Sequence, residues 1–133
     1  MGTVLLVVGS VFVVVAALIH VYIFVLESLR WRRPATWKIF GVPNQEQADI
    51  LSPMAFNQGF YNLFLAIGAA LGVILLPVVE SAGLALIFLA AGSMLAASLV
   101  LLLSDRTKLR PALIQGAAPL LGLVFTVLAL VAR

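Results

Sequence analysis

His20 and Glu27 are the two residues of this sequence best suited to moving a proton. They stand seven apart in A-L-I-H-V-Y-I-F-V-L-E-S-L-R-W, Ala17 to Trp31. On a helix that is roughly two turns, so they face nearly the same side, with Phe24 between them. Imidazole changes charge near neutral pH, so His20 is a candidate acid or base, and Glu27 could hold its charge or tautomer. Further along, N-Q-G-F-Y-N places Gln58, Tyr61 and Asn62 at i, i+3 and i+4 with Asn57 beside them. Tyr61 and Asn62 could polarise a carbonyl or hydroxyl, and Gln115 adds a further amide. Such a set, with Phe24 as an apolar wall, suits a small, partly hydrophobic molecule with one polar end. The reaction class would be that of an isomerase or hydro-lyase. The same groups could equally bind without reacting.

The elements that must position these residues follow from composition. The chain has 133 residues, of which 64% are hydrophobic and only 10% charged, with a mean hydropathy of +1.22. Soluble domains carry about 25% charged residues, and a soluble fold this small could not hide so much apolar surface. In lipid only helices and closed barrels satisfy the backbone. The apolar runs are long and lack the period-2 alternation of a barrel, so they are helices. Four reach the roughly 20 residues needed to cross a bilayer: about Val4–Leu29, Met54–Leu76, Ser81–Leu103 and Pro111–Val131. The expected fold is all-α, a four-transmembrane-helix bundle forming one integral membrane domain over residues 1–133. The N-terminal M-G-T-V-L-L has no basic n-region, so the first segment reads as a retained span rather than a cleaved signal.

Between the first two spans, Asn44 to Gln47 (N-Q-E-Q) has the form of a helix start. Two readings stay open: a short surface helix ending before Pro53, or an extension of the second span kinked there. Trp37, Ile39 and Phe40 are too apolar for a free loop and are expected in the headgroup region, with Trp31 and Trp37 as an interfacial belt.

Basic residues set the orientation. Arg30, Arg32, Arg33 and Lys38 lie in the first connection, Arg106, Lys108 and Arg110 in the third, and Arg133 on the opposite side. The positive-inside rule then puts both termini outside and both basic loops in the cytoplasm, as in a multi-pass protein of the plasma membrane. On this reading every strongly polar side chain within the spans falls in the cytoplasmic half, which is the argument for a common pocket. Each also has a plainer explanation. His20 could be a neutral core histidine, Glu27 could pair with Arg30 or Arg33, and the amides could be interhelical glue. Asp105 and Glu80 read as loop charges. The small-residue ridges Gly68–Gly72 and Ala90–Ala97 serve either packing within the bundle or the seam of a homo-oligomer.

Other chemistries drop out. With no cysteine and one histidine, a zinc site of the usual ligands is excluded, and carboxylates at different depths do not make a two-metal centre. There is no glycine-rich phosphate loop and no serine elbow, so no metal or cofactor is expected. The net charge of +3 sits in loops, where it orients the chain instead of binding nucleic acid. The expected partners are the lipid bilayer and a small lipophilic or amphipathic ligand.

H-x-Y-I-F-x-x-E at His20 to Glu27, N-Q-G-x-Y-N at Asn57 to Asn62 and Q-G-x-x-P at Gln115 to Pro119 resemble the domain of unknown function 1304 family, small four-helix membrane proteins of bacteria and fungi. The resemblance spans essentially the whole chain and implies a four-span bundle; it implies no particular reaction. Three functions are therefore carried forward. The first is a ligand pocket with acid–base chemistry. The second is a small proton-coupled transporter using Glu27, against which stand the interfacial depth of that carboxylate and the single fixed orientation. The third is an accessory membrane subunit.

Overall fold

In lipid the backbone has no partner but itself, and the chain responds with helix almost throughout. The computed structural model describes residues 1–133. α1 runs Gly2–Phe24 and continues as a π-helical turn, Val25–Leu29. After it come α2 (Pro34–Trp37) and a 3-10 turn, Lys38–Phe40, which Gly41 closes with φ of 77°. That left-handed conformation is cheap only for glycine. α3 spans Gln45–Leu75, α4 Glu80–Ser104 and α5 Leu109–Val131, the last preceded by a 3-10 turn, Arg106–Lys108. There are no strands. Four helical segments, Gly2–Leu29, Gln45–Leu75, Glu80–Ser104 and Arg106–Val131, are long and apolar enough to cross a membrane.

α3 decides between the two readings of the first connection. It is one continuous helix of 31 residues with Pro53 inside it. Asn44 caps it as expected, its Oδ1 accepting the Gln47 backbone N–H at 2.9 Å. The helix that carries the second span therefore begins at Gln45, as the extended reading has it. Asp105 caps the turn ahead of α5: its Oδ1 accepts from the Thr107 N–H at 2.9 Å and from the Thr107 hydroxyl at 2.6 Å. The Thr107 hydroxyl, and then its backbone N–H, hold the Asp105 carboxyl below its ordinary value.

Internal packing groups residues 1–19 with 65–133 into one compact unit and residues 20–64 into another. The larger unit is built on small residues. Its core takes Val13 and Ala16 from α1, Ala66 and Ala69 from α3, Ile87, Ala90 and Met94 from α4, and Ala118 from α5. Backbones approach closely where side chains vanish: a Cβ on Gly83 would meet the Leu76 nitrogen at 2.7 Å and the Gly72 carbonyl at 2.8 Å. The ridges read from the sequence are only partly used. Gly72, Ala90 and Ala91 are buried, whereas Ala96 and Ala97 are exposed and nothing lies within 4 Å of a Cβ at Gly92. Phe12 and Phe125 stack at 5.8 Å, the Thr126 hydroxyl donates to the Gly122 carbonyl at 2.7 Å, and Arg133 pairs with Glu80. Outward faces carry Val4, Val7, Val11, Leu89 and Val100, a surface suited to acyl chains.

Candidate functional site

The unit of residues 20–64 holds most of the polar chemistry, and its local sequence explains why. Trp31 and Trp37 are 7% and 4% exposed and form a core with Val42, Ala48 and Ala55. The reason is a specific anchor: the Trp31 indole N–H donates to the Ala48 carbonyl at 2.8 Å, tying the connection to the first turns of α3. Phe40 packs on Trp31 at 5.4 Å. The Trp37 indole nitrogen is buried without a hydrogen-bond partner, and Lys38 lies 5.6 Å from that ring's centre.

Just before Trp31 in the chain, the turn Val25–Leu29 closes with the Arg30 N–H on the Val25 carbonyl at 2.9 Å, an i to i−5 bond. Widening the helix by one residue re-aims Leu26 and Glu27, both buried. Such turns recur at functional sites. Ser28 follows. Its hydroxyl donates to the Phe56 carbonyl at 2.8 Å, and it presses against Gly59, where any side chain would collide with it.

Glu27 is 9% exposed and accepts a hydrogen bond on Oε2 from the Asn62 amide at 3.0 Å. Asn62 also donates to the Gln58 carbonyl at 3.1 Å, which fixes its orientation along α3. Glu27 forms no ion pair, so the pairing with Arg30 or Arg33 considered above is not the one the fold makes. It lies instead in a cleft of about 580 Å³. Residues 27–33 make one wall of it and Ser52, Pro53 and Phe56 of α3 the other.

The other residues read from the sequence fall as follows. His20 is 2% exposed, seven positions before Glu27. About 10 Å of helical rise separates the two, too far for a direct hydrogen bond. Phe24 stands between them and meets Phe60 edge to face at 5.1 Å. Asn57, Gln58 and Tyr61 are exposed on α3, Tyr61 by 56%. Gln115 is half-buried and belongs to the larger unit. Of all these, Glu27 alone lines the cleft. The cleft's arginines, Arg30, Arg32 and Arg33, were legible only as an orientation signal. Three guanidiniums within four residues, broken by a tryptophan, are the sequence sign that could have marked them.

No group of three or more histidine, cysteine or acidic side chains is placed to hold a metal ion. Residues 14–127 match a protein family described as Protein of unknown function (DUF1304). No curated protein and no solved structure matches the chain.

Proposed function

Since the chain belongs to the DUF1304 family, whose description names no activity, we propose a function from the geometry: a multi-pass membrane protein that binds a small amphipathic molecule in the cleft beside Glu27 and exchanges a proton with it. The observation that carries this reading is the buried, un-ion-paired Glu27 carboxyl, held by Asn62 at the wall of an open cleft. An ionisable group in a membrane-spanning helix is costly and is a functional candidate by default. A carboxyl oriented by an amide is equipped for general acid–base work. The apolar part of the ligand runs along Leu29, Pro53 and Phe56, and the position that exchanges a proton faces Glu27. The bias of basic residues toward the first and third connections supports a cytoplasmic cleft and outside termini by the positive-inside rule. His20, buried further along the same helix, is a second proton-bearing group of this unit and supports the site from its depth.

The test is mass spectrometry of small molecules retained by the purified protein, followed by incubation in deuterated water. The expected result is a retained molecule with one polar end that takes up deuterium at a carbon-bound position on the wild-type protein and not on Glu27→Gln. Equal uptake by Glu27→Gln overturns the role given to Glu27. Turnover unchanged in His20→Ala removes His20 from the chemistry and leaves the Glu27 site intact.

A further inference from the structure

The cleft of residues 20–64 carries more positive charge than its own carboxyl can answer. Arg30, Arg32 and Arg33 all line it, against the single carboxyl of Glu27. All three are exposed, and none forms an ion pair or a side-chain hydrogen bond within the protein. The acidic residues nearest along α3 do not supply partners: Asp49 accepts from the Gln45 amide at 2.8 Å, and neither it nor Glu46 pairs with an arginine. Planar guanidiniums in a recess match the geometry of an oxyanion, because each offers two parallel N–H donors. The opposite wall offers apolar surface at Pro53 and Phe56 beside Ser52. A role in orienting the chain needs only the charge of these residues; it does not need them to share a cleft with an aromatic ring and a buried carboxyl.

Resting on the ligand cleft proposed above, we infer that its ligand is a phosphate-bearing amphiphile, the phosphate held by Arg30, Arg32 and Arg33 and the alkyl part laid against Pro53 and Phe56. Ser52, also on the lining, offers a hydroxyl donor, whereas the Ser28 hydroxyl is committed to the Phe56 carbonyl. The phosphate can belong to an anionic lipid of the bilayer or to a free alkyl phosphate; the chemistry of recognition is the same.

Trp31 lines the cleft, and Trp31 and Trp37 are the only tryptophans of the chain, so intrinsic fluorescence of the full-length protein reads this unit directly. In neutral maltoside micelles, dodecyl phosphate is expected to give a saturable change, with inorganic phosphate and dodecanol each at least about ten-fold weaker. R30Q/R32Q/R33Q should lose roughly ten-fold or more in affinity. R30K/R32K/R33K keeps the charge that orients the chain and should still lose several-fold, because lysine lacks the fork. Removing two basic residues that are not on the lining, R106Q/R110Q, should change nothing. In discs of a neutral, phosphate-free galactolipid, added phosphatidylglycerol should raise the dodecyl phosphate needed more than an equal charge of oleate does if a lipid headgroup is the natural occupant. Equal requirements with the two additives assign the site to a free alkyl phosphate. Dodecanol binding as tightly as dodecyl phosphate, or wild-type affinity in both arginine triple variants, overturns the inference while leaving a ligand cleft in place. Inorganic phosphate binding as tightly overturns the amphiphile. No saturable change with any probe removes the inference and the cleft reading together.

Discussion

Two recesses of similar size, about 510 Å³ and 580 Å³, share almost no chemistry. The first lies in the larger unit, between valines and leucines of α1 and Val73, Leu76 and Pro77. Its one polar side chain, Ser10, is already committed to the Leu6 carbonyl at 2.8 Å. The second lies in the unit of residues 20–64 and is lined by three arginines, a carboxyl and an indole. Volume therefore does not separate a surface for acyl chains from a candidate ligand site. What separates them is whether polar groups are left with capacity to bind. In the larger unit, hydroxyls bond back to their own helices, as Ser10, Ser93 and Thr126 do. In the smaller one, Ser28, Trp31 and Asn62 bond across to other elements, and the guanidiniums of Arg30, Arg32 and Arg33 bond to nothing in the protein.

The two units also cohere differently, and substitutions can break that contrast. The largest effect is expected at Gly83, where a Cβ would meet backbone atoms of Leu76 and Gly72 that have no side chain to swing aside. Gly83→Ala should destabilise by about 3 kcal/mol, the upper end for overpacking, measured by reversible unfolding in mixed micelles. A loss under about 1 kcal/mol would show that the larger unit does not depend on backbone approach.

The smaller unit rests on side-chain anchoring, and its two tryptophans sharpen the point. Trp31→Phe removes the bond to Ala48, whereas Trp37→Phe removes an indole N–H that is buried with no partner. Trp31→Phe is therefore expected to cost about 1 kcal/mol more than Trp37→Phe, and equal costs would deny the anchor its role. The smallest effect belongs to Gly92, where a Cβ meets open space in mid-helix. Gly92→Ala should stabilise α4 by about 0.5 kcal/mol. A destabilisation there would mean that the exposed part of the small-residue ridge is covered by another chain.

The sequence by itself determined the four spans. Apolar runs of that length in lipid leave the backbone only its own hydrogen bonds, so helix and approximate bounds follow from composition. It also determined the cap at Asn44, a local side-chain-to-backbone contact three residues long. Only the tertiary structure decided what crosses between elements. Pro53 does not stop α3, because the helix it interrupts is held on both sides of it by packing, at Ala48 and Ala55. Trp31 turns inward because the Ala48 carbonyl accepts its indole N–H, and Trp37 packs in the same cluster with its indole nitrogen unpartnered. Glu27 chooses Asn62, 35 positions away, over Arg30, three positions away. The amides and phenol of α3 share a face in the 3.6-residue repeat, yet Asn57, Gln58 and Tyr61 are exposed while Asn62 turns toward Glu27. Helical periodicity gives the relative angle of side chains along one helix. Which angle faces protein depends on the partner helix and on a single widened turn at Val25–Leu29, and neither is encoded in local spacing.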